Sequence, residues 1–188
     1  MDKKIAFLCV DPSINGTGLS LVTFIGKKDG ISQFKVLDKT TLLLPRQRIK
    51  YVDKYLKKID VLHLFKHAVD CYIEQFGSEY RIGWSVFESY SYGSTGQLAD
   101  LGEMGGLFKY FLYTGLPYKV AVETITPMQV KKIIGGSGKA GKDVVRNSLE
   151  KYIPDYNNIV WNSFDESDSV AVGISYFLLM ESHINEQK

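Results

Sequence analysis

Between residues 4 and 44 the chain offers three strand-like runs separated only by turns, whereas every later strand-like run is set apart from the next by a helical pattern. Runs joined by tight turns pair antiparallel, and runs joined through a helix return parallel. That order commits the chain to a mixed sheet covered by helices. Residues 4–10 form the first run and stop at Asp11-Pro12, because proline cannot donate a hydrogen bond inside a sheet. Ser13-Ile-Asn-Gly-Thr-Gly18 supplies a turn, residues 19–24 the second strand and Lys27-Lys-Asp-Gly30 the next turn. Residues 33–44, closed by Pro45, make the third strand.

From residue 47 to about residue 76, Ile49, Val52, Leu56, Ile59, Leu62 and Phe65 recur at helical spacing, and Gly77 ends the helix. Residues 84–87 are a short strand that delivers Glu88 at its end. A Gly/Ser/Tyr loop over 89–96 leads to a helix over 97–113, and residues 118–122 give the fifth strand. Thr126-Pro127 opens a short helix, with threonine as N-cap and proline in the first turn. The glycine-rich segment 135–141 breaks that helix, a second short helix runs to about residue 152, and the last helix begins near Asp165. The expectation is one α/β domain over residues 1–188, with a five-stranded sheet: a three-strand antiparallel meander plus two parallel strands, flanked by helices.

A chain of 188 residues with 45% hydrophobic content builds a core without covalent staples. Its two cysteines, Cys9 and Cys71, each sit in an apolar run, which excludes a disulfide scaffold and a cysteine-based zinc site. Charges at Asp2, Lys3 and Lys4 precede only a short apolar run, unlike a signal peptide, and no run reaches the ~18–20 residues of a membrane span. The expected location is the cytoplasm. The net charge of +2 says little, but its distribution is uneven. Residues 46–67 carry seven basic against two acidic side chains and residues 119–151 seven against three, while residues 152–188 carry six acids and one lysine. Basic segments beside an acidic one suit a polyanion held next to a carboxylate-lined site, although basic runs also occur as solvated helix faces.

Four acids occupy places that call for a reason. Asp11 ends the first strand and Glu88 the fourth, while Asp165 and Asp168 are three apart at the start of the last helix and so share a face. A helix start packed across the ends of central strands would gather all four. Such a cluster repels itself unless cations neutralise it, and hard oxygen donors select Mg²⁺ or Mn²⁺. Two such ions ~4 Å apart clamp the attacking and leaving oxygens of a phosphodiester displacement. Each acid alone has a plainer explanation: Asp-Pro opens turns, and aspartates in a first helical turn complement the helix dipole. Glu123, at the expected end of the fifth strand, competes with Glu88.

Four segments in order then resemble the RuvC family of Holliday junction resolvases across residues 5–178. They are Asp11-Pro-Ser-Ile-Asn-Gly-Thr-Gly18, Glu88-Ser-Tyr-Ser-Tyr92, Thr126-Pro-Met-Gln-Val-Lys-Lys132 followed by a glycine-rich loop with Lys142, and Asp165-Glu-Ser-Asp168-Ser-Val-Ala171-Val. The resemblance implies an RNase H-like fold, a homodimer, and Mg²⁺-dependent paired symmetric nicks in four-way junctions that leave 5′-phosphate and 3′-hydroxyl ends. It makes Asp11, Glu88, Asp165 and Asp168 the metal-binding catalytic acids, with two Mg²⁺ per site and Mn²⁺ as substitute. Lys131 and Lys142 sit where the family carries lysines that contact the DNA backbone and assist cleavage; beside that resemblance, the basic glycine-rich loop makes Lys139 a phosphate contact, and Lys132 and Arg146 are further candidates for DNA contact. Either Tyr90 or Tyr92 would stack on a base. The segment from 25 to 83 is longer than the family pattern, and the compact single domain looks like that of a phage-encoded member, hence host cytoplasm.

Other readings stay in view. Gly136-Ser-Gly-Lys-Ala-Gly141-Lys142-Asp143 fits a phosphate loop, but it ends in Asp where Ser or Thr belongs and follows a helix, so no nucleotide cofactor is expected. His63 and His67 are i,i+4 without a third metal ligand. Gly102, Gly105 and Gly106 would allow close approach to their helix. An actin-like ATPase would need a second copy of the fold. A broader flap- and fork-cutting nuclease and a branched-DNA binding module without cleavage are the alternative functions.

Overall fold

The computed structural model describes residues 2–13, 15–44, 54–90 and 98–186. Strands β1 (Lys4–Asp11), β2 (Thr17–Lys28) and β3 (Ile31–Leu42) form the antiparallel meander, and β4 (Tyr80–Glu88) and β5 (Ala121–Ile125) continue it in parallel. The sheet order is β3-β2-β1-β4-β5. Asp29 and Gly30, both with positive φ (52° and 80°), make the two-residue turn between β2 and β3, whose twist matches the flanking strands. Register decides what lies at the sheet's end. Ala6 pairs with Ile82 and Phe7 with Trp84, which leaves Gly83 as an extra residue in β4. Beyond this bulge Val10 pairs with Phe87, so the next residues, Asp11 and Glu88, leave adjacent strand ends together.

Helices cover both faces. Helices α1 (Lys54–Phe76) and α2 (Leu98–Thr114) bury Val61, Phe65, Val69, Met104, Phe108 and Leu112 against one face, with Phe65 and Phe108 stacked at 4.2 Å. Helices α3 (Pro127–Gly135), α4 (Lys142–Ser148) and α5 (Phe164–Glu186) close the other. Residues 169–176 of α5 are buried on every side, between the sheet and the α3–α4 pair. Gly173 makes that seat possible, since a Cβ there would stand 2.1 Å from the Cys9 sulfur.

Three expectations shift. The fifth strand begins at Ala121, three residues later than the apolar run suggests. Val120 and Tyr118 belong to the core beneath α1 and α2, and pairing starts only where Trp84 meets Ala121. Glu123 therefore lies within β5, opposite Val86 and beside Tyr176 of α5, not at a strand end. On α1 the buried stripe is Val61, Phe65, Val69 and Tyr72, while Leu56 and Ile59 are exposed. The helix is turned so that Lys58 is buried, its ammonium paired with Asp100 at 2.7 Å and with Glu103 on α2. The first part of the helix expected from residue 47, with Ile49 and Val52, lies outside the described residues, as does Tyr92.

Both cysteines are free, Cys9 buried and Cys71 half-buried. Gly173→Ala should destabilise the protein by about 1–3 kcal/mol through overpacking against Cys9. Cys9→Ala should relieve part of that cost, so the double variant should be more stable than the two single losses predict, read by denaturant unfolding. Full additivity would show that α5 does not seat on Cys9.

Candidate metal and phosphate site

The site is built where the start of α5 crosses the ends of β1 and β4. Gly16 in the β1–β2 connection and Gly18 at the start of β2 permit the crossing. A Cβ on Gly18 would stand 2.1 Å from the backbone oxygen of Asp165, and one on Gly16 would stand 3.1 Å from its Oδ2. Thr17 closes the turn between β1 and β2: its buried hydroxyl donates to Ser13 O at 2.8 Å and accepts from Ser13 N at 3.2 Å. A carboxylate oxygen from each of Asp11, Asp165 and Asp168 then lies within 4.8 Å of the others, the one such acid cluster among the described residues. Glu88 hydrogen-bonds to Asp11 from the neighbouring strand end.

These groups, with Pro127, Val130, Lys131, Lys142 and Val145, line a cleft of about 210 Å³. A larger groove of about 620 Å³, walled by Phe7, Phe24, Trp84 and Phe177, opens near the start of β1 and brings no group of acids together.

The electrostatics of the cluster favour a neutralising partner. Burial, then the charge of Asp168, pushes the Asp11 carboxyl well above the usual carboxylate range; burial, then Asp11, does the same to Glu88. Burial and Asp168 also raise Asp165, against the pull of Lys142. Half-buried acids this close hold a shared proton or a cation. Lys142 supplies the nearest positive charge, its Nζ 2.6 Å from Asp168 Oδ2 and 3.9 Å from Asp165 Oδ1. Partial burial works against its charge, but Asp168, Asp11 and Asp165 outweigh that and hold the ammonium above its ordinary range. An all-carboxylate set of hard oxygen donors fits a divalent cation of the Mg²⁺ or Mn²⁺ kind.

The basic residues divide by placement. Lys131 stands on α3 at the cleft, close enough to Glu88 to favour its charged form. Its helix starts where expected: Thr126 and Gln129 form a capping box with Pro127 in the first turn, and Gly136 (φ 76°) ends it. Lys132 and Lys139 are exposed on α3 and on the loop that follows it. Arg146 faces inward: its Nε donates to Ser167 Oγ at 3.1 Å, its Nη2 donates to Ser163 O, and its guanidinium lies 3.9 Å over the Phe164 ring.

Tyr90 is half-buried, and its hydroxyl hydrogen-bonds to the backbone of Gly105 on α2, where a Cβ would stand 2.0 Å from it. Gly105 therefore receives a side chain of this chain, while Gly102 and Gly106 face open space. His63 and His67 are exposed on α1, where His67 neighbours Cys71 at 3.8 Å.

Sequence reasoning did not find Lys39, Asn162 or Glu166. Glu166 is 3% exposed, and its carboxylate accepts from Lys39 Nζ at 2.7 Å and from Asn162 N at 2.9 Å. A signal was present, since Ser163-Phe-Asp-Glu166 has capping-box spacing, and Ser163 Oγ does accept from Glu166 N at 3.1 Å. Nothing in the spacing of the chain points to Lys39.

No family model matches the sequence, and no curated protein matches it. Solved structures do. RuvC of Thermus thermophilus superposes with a TM-score of 0.69 at 18% identity, covering 95% of this chain and 96% of that one. The same protein in complex with a Holliday junction substrate gives 0.67 at 16% identity, covering 94% and 96%. The fowlpox virus Holliday junction resolvase gives 0.55 at 14% identity, covering 93% and 99%. The chain thus has the RuvC-type, RNase H-like fold.

Because Asp11 and Glu88 carry raised values when folded, the folded chain binds more protons than the unfolded one from about pH 4 upward. In EDTA, stability should therefore fall as pH rises from about 4 through neutrality, and Glu88→Gln should flatten that slope and raise Tm near pH 8 by about 2–6 °C. A lower Tm for Glu88→Gln at that pH would show that the acids do not repel. Gly18→Ala should cost about 1–3 kcal/mol and weaken Mn²⁺ binding, measured by calorimetry.

Proposed function

We propose that this chain is a metal-dependent DNA endonuclease that resolves four-way junctions. The observation that carries the reading is the cluster of Asp11, Asp165 and Asp168 oxygens within 4.8 Å, joined by Glu88 and flanked by Lys131 and Lys142 on a RuvC-type fold. Asp11, Glu88, Asp165 and Asp168 would hold the ions, two Mg²⁺ or Mn²⁺ per site. Bound there, divalent ions supply charge neutralisation and Lewis-acid activation for phosphodiester hydrolysis.

The chain's own residues do the rest. Lys142, half-exposed at the rim, moves from its carboxylate partners toward the scissile phosphate and stabilises its developing charge. Lys131 holds the adjacent phosphate at the α3 side of the cleft. Lys132 and Lys139 track the backbone, where phosphate contacts position the strand without reading sequence. Tyr90, with its hydroxyl anchored on α2, offers its ring to an unstacked base near the crossover. A homodimer presents two such sites to a two-fold junction and makes paired nicks with 5′-phosphate and 3′-hydroxyl ends.

A labelled synthetic four-way junction, incubated with Mg²⁺ or EDTA beside duplex and flap controls, tests this. Symmetric, Mg²⁺-dependent nicks on the junction are expected. Equal cutting of flaps would replace a resolvase with a general debranching nuclease, and tight binding without cutting in Mg²⁺ or Mn²⁺ would leave a binding module. Asp165→Asn should abolish cleavage while keeping junction affinity. Lys142→Ala should slow single-turnover cleavage by about 10²-fold; an unchanged rate would remove it from the chemistry.

A further inference from the structure

In the first turn of α5, which carries Asp165, the N–H groups have no intrahelical backbone partner. Here that turn is held from two sides. On the β3 side, Lys39 Nζ donates to Glu166 Oε2 at 2.7 Å and to Val160 O at 2.6 Å, beneath the Trp161 ring at 5.3 Å. Asn162 donates to the same carboxylate from N at 2.9 Å and Nδ2 at 3.2 Å. Thr41 of β3 shares a hydrogen bond of 2.6 Å with Ser163 Oγ, the atom that caps Glu166 N. From α4, Arg146 grips Ser163 O, Ser167 Oγ and the face of Phe164. Ser167 Oγ in turn donates to Phe164 O at 2.8 Å.

Glu166 is an acid between two acids of the cluster, yet it turns away from them. Its carboxylate accepts from Lys39 Nζ on β3 and from both nitrogens of Asn162. With Glu166 anchored to β3, the residues on either side of it, Asp165 and the Ser167-Asp168 pair, have their direction set.

Resting on the metal-dependent reading above, we infer that Glu166, held by Lys39, and Arg146 are positioning residues that brace the first turn of α5 and set the divalent-cation affinity of the Asp11–Asp165–Asp168 cluster. Neither touches the reacting atoms. Arg146 thereby acts on the site from behind, and its role on DNA is indirect.

The test compares Mn²⁺ binding to the full chain, followed by the electron paramagnetic resonance of free Mn²⁺, with junction affinity in EDTA and with cleavage against Mg²⁺ concentration. Glu166→Gln, Lys39→Met and Arg146→Met should each weaken Mn²⁺ binding about 10–100-fold, the size of effect seen when groups that orient metal ligands are removed. The Mg²⁺ midpoint for cleavage should rise by the same factor, while the rate at saturating Mg²⁺ and junction affinity in EDTA stay within threefold. Lys39→Arg should restore most of the affinity. Phe108→Leu, in the core on the opposite face, should lower Tm without moving the Mn²⁺ affinity, which separates bracing from general destabilisation.

Wild-type Mn²⁺ affinity in Glu166→Gln overturns the inference and leaves the proposed function standing. An equal loss in Phe108→Leu at matched Tm also overturns it. Loss of junction affinity in Arg146→Met with Mn²⁺ binding intact returns Arg146 to the DNA surface. A wild-type protein that binds no Mn²⁺ overturns both the inference and the nuclease reading.

Discussion

The backbone contact between Gly18 and Asp165 constrains the molecule more than any other, because it is made between main chains and leaves no side chain to adjust. It brings the first turn of α5 onto the strand beside β1, close enough for Asp165 to reach Asp11. The same demand recurs two helical turns further on, where Gly173 lets α5 lie against the Cys9 sulfur. These two approaches set the height of α5 above the sheet at its start and at its middle. The aromatic contacts of Phe177 with Phe7, Phe24 and Phe34 continue the seat toward the far end of the sheet.

Holding α5 that close creates an electrostatic cost. Carboxyl groups of Asp11, Glu88, Asp165 and Asp168 converge at one sheet end, and burial together with mutual charge raises the first three. Such a site is unfavourable for the bare fold and favourable for a cation, the usual trade between stability and a preorganised site. Lys142 offsets part of the repulsion from an exposed position, which leaves it able to move. Lys39, by contrast, is committed to Glu166, with the two side chains 12% and 4% exposed. The basic side chains described around the site thus fall into two kinds. Some brace the acidic turn from behind, and others remain free to meet an anion in front of it.

Much of this could be read from residues alone. The turn-linked runs before residue 47 and the helix-linked runs after it announced a meander followed by parallel strands, and the sheet order follows that pattern. Thr126-Pro127 with Gln129 specified a helix start because capping chemistry is local. Less was legible wherever a distant partner sets the outcome. The extent of β5 depends on where β4 begins to pair with it, which moved Glu123 from a strand end to the strand's interior. The face of α1 depends on Asp100 and Glu103, which lie 42 and 45 residues beyond Lys58 and compensate a lysine that an apolar stripe would leave in water.

By itself the sequence determined the class of sheet, the positions of Asp11 and Glu88 at strand ends, and the pairing of Asp165 with Asp168 on one helix face. Each follows from a period, a cap or a turn acting over a few residues. Only the tertiary structure decided that Asp11 meets Asp165 and Asp168, that Glu88 lies beside Asp11 through the bulge at Gly83, and that Arg146 and Glu166 turn inward. Those outcomes depend on how closely two backbones approach and on which charge finds a buried partner. Both are properties of packing between segments from 17 to more than 150 residues apart, and no local pattern encodes them.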